Sequence, residues 1–363
     1  MYSGGVTASR AWLWATVLLT AAALVSAVVL APRAGAAPVR ALSWLLFTGS
    51  SVHVASTAWL FTVPAVRAYA GQHPVRCLWV PLSLIVIASA AAAATSPASF
   101  QWLLLPYFGW QFYHYQKQNI GMASLAASAQ RVGPLLQAER WPLLLAGWAG
   151  IAALVARPGL LGLRVRPLGQ FPLAHGVFLL SAATYAIAVA AGVAAIARRP
   201  PARRPAGFCA IYLTSLLFCL PAFLFASPYA AVAGMTIAHG AQYLVLVTLI
   251  AGGSADQAPT RPSKLSRPVR LALLANISFI GGAALSAASH LHSAGELGRI
   301  AFGAYLGIVM AHFVIDAGLW RMRDPLARRI LSTHLPYLVP ARPNLDAPRE
   351  TWVVRLPIDR QPT

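Results

Sequence analysis

The sequence predicts an all-α, polytopic membrane protein: a bundle of about ten transmembrane helices with both termini on the cytoplasmic side. Three observations carry that expectation. Of the 363 residues, 58% are hydrophobic and 10% charged, with a mean hydropathy of +0.64, whereas a soluble domain carries about 25% charged residues. Acids are confined: none precedes Glu139, and none lies between Arg140 and Asp256. Apolar runs of the length needed to span hydrocarbon, about 20 residues, recur along the whole chain. The runs are continuous rather than alternating, which excludes a β-barrel.

Taken in order, the runs fall at approximately 11–31, 41–64, 77–95, 99–119, 141–156, 171–197, 206–226, 229–251, 269–288 and 298–320. The first follows only Arg10. Its length and the similar runs after it mark a retained helix rather than a signal peptide. Pro-, Gly- or Arg-rich breaks separate the runs, as in Ala31–Arg40, Arg157–Gln170, Arg198–Pro205 and Gly252–Arg267. The fifth run is the shortest. Residues 1–321 therefore form the helical bundle. Residues 322–363 form a polar, Pro-rich cytoplasmic tail, too short and too poor in apolar residues for a second domain.

Charge fixes the orientation. Ten spans divide the 28 Lys and Arg residues into 22 on the side of the N-terminus, even-numbered loops and tail, and 6 on the other. Cytoplasmic loops carry the excess of Lys and Arg, so the first side is cytoplasmic. The net charge of +20 does not point to nucleic acid, because the arginines sit between apolar runs rather than on one basic face. The bilayer is the partner, and the expected location is a bacterial-type inner (cytoplasmic) membrane, crossed many times. Cys77, Cys209 and Cys219 show no spacing of a disulfide framework or zinc knuckle. Oligomeric state is not encoded in any motif.

Polar groups inside hydrocarbon are expensive, so each is a functional candidate. His53, His114, His239 and His312 lie well inside the second, fourth, eighth and tenth runs. On the ten-span arrangement these helices all run from outside to inside, and a rise of 1.5 Å per residue places the four within a slab roughly 8 Å thick. Each has polar companions at helical spacing: Ser50, Ser56 and Thr57; Tyr107, Gln111 and Gln118; Thr236, Gln242 and Tyr243; Tyr305 and Asp316. Such stripes avoid lipid by facing one another.

Two readings follow. In one, the imidazoles hold a metal ion: four nitrogens without a thiolate suit iron, copper or zinc. The amide, phenol and carboxylate groups then orient the ligands through their far nitrogens. In the other, each histidine is an interhelical hydrogen-bonding residue that helps small-residue helices pack. Four at one depth favour the metal. Asp316 is the one acid well inside a run. One turn from His312, it can orient that ring, bind the ion directly or carry a proton; the plain alternative is an ion pair with Lys117 or Arg321. Gln118, Gln242 and Tyr243 join it as candidate catalytic residues. His175, His290 and His292 fall near the outer surface and His73 and His334 in cytoplasmic segments, all without a motif.

The chain has no P-loop, no GxSxG and no dinucleotide fingerprint. It also lacks the histidine clusters of membrane desaturases and the DxxxD-like pairs of intramembrane prenyltransferases. The pattern of His53, His114, His239 and His312 resembles that of the Brp/Blh-type intramembrane carotenoid cleavage oxygenases. That resemblance implies a multi-helix membrane fold holding one non-haem iron with four histidines, and cleavage of a carotenoid with O₂. It covers these four positions rather than the whole chain, and departs in placing each on a separate helix and in having more spans. The expected activity is a metal-dependent, non-haem iron oxidoreductase acting on an apolar, lipid-soluble small molecule. Copper, zinc or a histidine-ligated haem are the cofactor variants. The rivals are a proton- or metal-coupled transporter or channel and an assembly role.

Overall fold

The computed structural model describes residues 3–33, 36–165, 172–253, 265–320 and 324–339. Among these the secondary structure is helical throughout, with no strand. Residues 254–264, Arg321 and those from 340 onward lie outside the described residues.

Each predicted run is helical over most of its described residues. In chain order the elements are α1 (Ser3–Val29), α2 (residues 40–60), α3 (Pro64–Gln72), α4 (Val75–Ala94), α5 (Pro97–Ala129), α6 (Gln137–Ala156) and α7 (Pro172–Ala197). There follow α8 (Ala206–Leu216), the single turn α9 (Pro221–Leu224), α10 (Tyr229–Gly252), α11 (Arg267–Ser289), α12 (Glu296–Leu319) and α13 (Pro325–His334). Six of them are long and apolar enough to cross a membrane: Thr7–Val29, Val75–Ala94, Pro172–Ala197, Tyr229–Gly252, Arg267–Ser293 and Glu296–Leu319. Their outer faces carry large exposed apolar side chains such as Leu18, Val86, Leu180 and Ile280, surface that suits lipid better than water.

The other four predicted runs differ for identifiable reasons. In α2 the polar residues Thr48, Ser50, Ser51, His53, Ser56 and Thr57 dilute the apolar ones, and a π-helical turn, Thr48–Val52, joins the α-helical stretches Arg40–Phe47 and His53–Leu60. The long α5 dilutes its apolar residues with Gln111, His114, Gln116, Lys117, Gln118 and Asn119. Glu139 and Arg140 open α6. The seventh run is broken after Leu216, and resumes only as α9.

The bundle is organised around α10. In its most apolar 18-residue window 78% of residues are buried, against 17% for α4 and 22% for α11, so α10 is the axis and the others its shell. It packs on α1, on the π-turn of α2, on α11 and on α13. Glycines let backbones touch where helices cross, the device membrane helices use most. A Cβ added to Gly49 would stand 2.6 Å from Cα of Ile237, and one added to Gly240 2.6 Å from Cα of Gly49. A Cβ on Gly282 would stand 3.0 Å from Cα of Val52, so the π-turn of α2 is clasped between α10 and α11. On the other side α12 lies along α4. There Gly303 faces Ser89 and Gly307 faces Leu84 at similarly close range.

A second staple lies between α6 and α7. Glu139, fully buried, is ion-paired with Arg199 through Nε, and Nη2 of the same arginine donates to its other oxygen at 2.7 Å. Arg199 also donates to the carbonyls of Val132 and Pro134. Tyr212 of α8 donates to the Glu139 carbonyl at 2.9 Å. Finally, residues 325–339 of the polar segment fold back onto the bundle. Ala327, Ile330, Leu331, Leu335 and Leu338 are buried in the main core, with α13 against the end of α10.

Candidate metal centre

The π-turn sets the position of His53. A π turn accommodates an extra residue and re-aims the side chains that follow, which is why such turns recur at functional sites. His53 follows it directly, one helical turn past Gly49, and the Gly49–Gly240 approach seats that turn against α10 beside His239. Their rings meet edge to face with centroids 4.9 Å apart.

The other two rings complete a closed circuit. His53 meets His312 at 5.0 Å, His312 meets His114 at 5.2 Å, and His114 meets His239 at 5.0 Å, all edge to face. All four predicted histidines, one each from α2, α5, α10 and α12, thus converge on one point. None is more than 9% exposed. Aromatic lids close the cluster: Tyr115 stacks on His239 at 4.1 Å and Phe313 on His114 at 4.5 Å. Gln111 donates to the Tyr115 hydroxyl, which reaches Thr236.

The ring nitrogens are the unusual feature. Nε2 of His53, His114, His239 and His312 is buried without a hydrogen-bond partner, as are Nδ1 of His53 and His239. A buried polar atom without a partner costs about 1–3 kcal/mol, and native proteins rarely leave several together. One ligand atom each from His53, His239 and His312 lie within 4.8 Å of one another, and so do those of His114, His312 and Asp316. Two nitrogens on one ion at about 2.0–2.1 Å cannot be more than about 4.2 Å apart. The set therefore needs only a small contraction to hold a cation. The donor chemistry fits: imidazole lone pairs plus one carboxylate.

Asp316 lies on the inner side of the cluster. Its Oδ2 is 3.5 Å from Nε2 of His312 and 4.0 Å from Nε2 of His114. The far nitrogen of His312 belongs to a different residue, because Nδ1 is 2.7 Å from the hydroxyl of Thr57. Thr57 is in turn 2.9 Å from the hydroxyl of Tyr243, which donates to Oδ1 of Asp316 at 3.1 Å. The Tyr243 hydroxyl has one proton and donates it to Asp316, so the chain has one direction. The Tyr243 oxygen accepts from Thr57, the Thr57 oxygen accepts in turn, and His312 donates from Nδ1. Nε2 of His312 is then left without a proton.

Gln118 and Gln242 occupy a different place. Gln118 donates to the His239 carbonyl and to Gln242, both at 3.0 Å, and Gln242 donates to Thr20 of α1 at 2.9 Å. They tie α5, α10 and α1 together beneath His239 and do not touch a histidine ring. Thr57, Tyr115 and Phe313 were visible to the sequence only as neighbours. Thr57 lay on the polar stripe of His53, whereas Tyr115 and Phe313 gave no signal beyond adjacency to a histidine. No family model, no curated protein and no solved structure matches the chain.

Proposed function

We propose that the chain is a metal-dependent intramembrane oxidoreductase, with non-haem iron as the metal and an apolar, lipid-soluble small molecule as substrate. The observation that carries this reading is the closed circuit of four buried histidine rings, each with an Nε2 that has no hydrogen-bond partner. A packing role would satisfy those atoms. Here they are left to one another.

In this reading His53, His239 and His312 hold the ion, with His114 and Asp316 beside it to complete or vacate further positions. Bound iron would supply the activation of O₂ for oxidation of a substrate drawn from the bilayer. The relay from His312 through Thr57 and Tyr243 to Asp316 holds the ligating tautomer and a proton at a fixed oxygen. Tyr115 and Phe313 shut the rings away from water.

The reading extends to topology: ten spans, N- and C-termini in the cytoplasm, in an inner membrane of bacterial type. The 22-to-6 division of Lys and Arg supports it. A C-terminal reporter active only outside the cytoplasm would overturn that arrangement.

Elemental analysis with an optical spectrum of purified protein tests the chemistry. Roughly one iron per chain without a Soret band is the expected result. A Soret band would mean haem, and copper or zinc in its place would change the metal. Absence of any metal after purification and iron loading would sink the reading, and proton- or metal-coupled transport would then be the next to measure.

A further inference from the structure

A cavity of about 670 Å³ opens at the far end of α2, between α3, the end of α10, the start of α11 and α13. Its position is informative. Ile250 in its wall is two residues from the end of the span Tyr229–Gly252, and Arg270 lies in the first turn of the span Arg267–Ser293. Span ends are where lipid headgroups sit. The volume is that of a pocket for a small organic molecule, about 300–1,000 Å³.

One part of the wall is cationic. Arg270 is buried and donates to the carbonyls of Ala251, Gly253 and Leu265. Among the described residues no carboxylate is within ion-pair distance of it. Arg329 and His334 share the wall. Nδ1 of His334 has no hydrogen-bond partner, and burial together with the Arg270 charge pushes this histidine below its usual value. Asp324 also lines the cavity, but its Oδ1 is engaged by the Leu326 amide at 2.9 Å, where it caps α13. The wall also has apolar side chains that are not fully buried, among them Val63, Leu265 and Leu326. The helix α13 buries Ala327, Ile330 and Leu331 in the bundle and leaves Arg329 exposed.

We propose that this cavity binds an anionic bilayer lipid, with its phosphate held by Arg270, Arg329 and His334 and an acyl chain laid against Val63, Leu265 and Leu326. The cations attract a headgroup, and the apolar wall has no use for a free ion. The site is separate from the four histidines, and its occupancy does not depend on their having a metal.

The test is retention of lipid by the full chain, purified in a neutral detergent, delipidated and titrated with dioleoyl phosphatidic acid or dioleoyl phosphatidylcholine under native mass spectrometry. One phosphatidic acid per chain is expected, bound more tightly than phosphatidylcholine. A juxtamembrane cation is worth about 1 kcal/mol toward an anionic surface. Arg329→Gln should therefore weaken phosphatidic acid about fivefold and Arg329→Glu about twenty-five-fold. Arg203→Gln, on an exposed loop elsewhere, should leave it unchanged. Arg329 is exposed, so these variants do not depend on rebuilding the core. Equal binding of the two lipids, or equal loss from Arg203→Gln, would overturn the proposal. So would displacement of phosphatidic acid by millimolar inorganic phosphate, which would make the site one for a free anion.

Discussion

The hydroxyl of Thr57 lies 2.7 Å from Nδ1 of His312, and this contact decides which nitrogen of that ring is free to bind. The donor order that ends on Asp316 puts the proton on Nδ1 and leaves Nε2 bare. Thr57→Val keeps the shape and removes the hydroxyl, so His312 loses its acceptor and Tyr243 its donor. Loss of a residue that orients a metal ligand costs about 10–100-fold in affinity. We expect that weakening for Thr57→Val and near-normal binding for Thr57→Ser, measured by competition with a chelator of known affinity. Equal affinities for the two variants would show that the relay does not set the tautomer.

Asp316 tests the same relay from its other end. Its Oδ2 is 3.5 Å from Nε2 of His312, on the side where the ion would sit. The carboxyl group therefore anchors the relay and would set an oxygen beside a bound ion. Asp316→Asn puts an amide that also donates in that place and removes an oxygen that could bind the ion. Metal affinity or activity should fall by about 10–100-fold with the fold intact. His312→Ala should lose more, because it removes a ligand. A proton-coupled transporter predicts otherwise: Asp316→Asn would abolish pH-driven uptake and leave metal content unaltered.

The close approach of Gly240 to Gly49 ties packing to the site. An added Cβ on Gly240 would stand 2.6 Å from Cα and 2.8 Å from the carbonyl carbon of Gly49. Neither is a flexible side-chain tip, so α2 and α10 must separate. That movement carries His53 away from His239. Gly240→Ala should lower metal affinity strongly, because the ligands no longer close on one ion. Gly121→Ala is the control. Nothing lies within 4 Å of its added Cβ, and alanine is the better helix former by about 1 kcal/mol. Metal content of the two purified variants, compared at equal helicity, decides the matter.

The histidine cluster was legible in the sequence because depth in a membrane is a one-dimensional quantity. Counting residues from the ends of apolar runs put His53, His114, His239 and His312 at one level, and a level is most of what is needed for four helices to share a point. Rotation about each helix axis is not counted so easily. A polar stripe says which face is polar, but not which neighbour it meets. Thus Gln118 and Gln242, on the stripes of His114 and His239, were grouped with the site, yet they bond to each other and to α1. Likewise Thr57, on the stripe of Ser50, His53 and Ser56, bonds to His312 of another helix. The π-turn of α2 is the extreme case: one extra residue in a turn re-aims everything after it, and TGSSV carries no period that announces it. Helix lengths were also harder to read than helix positions. Proline and short polar stretches ended α8 and interrupted α2 inside runs that hydropathy joined.

Glu139 is the residue whose role the sequence least disclosed. It is the first acid in the chain and stands just before the predicted span 141–156. In the fold it is fully buried. Both its oxygens are bonded to Arg199, Oε2 also accepts from the Leu136 amide at 2.9 Å, and its carbonyl accepts from Tyr212. One residue thereby joins α6, α8 and the end of α7. Removing one member of a buried ion pair strands the other, at a cost of about 3–5 kcal/mol. Glu139→Gln should therefore lower the unfolding midpoint in detergent markedly, and Arg199→Gln by a similar amount. The double variant should recover part of the loss, since it strands no charge. Because the pair is remote from the histidines, metal bound per folded chain should not change in any of the three. A fall in metal content at full folding would mean instead that α6 and α7 hold the centre in shape. An unfolding midpoint unmoved by either single change would show that the pair is solvated and carries little of the fold.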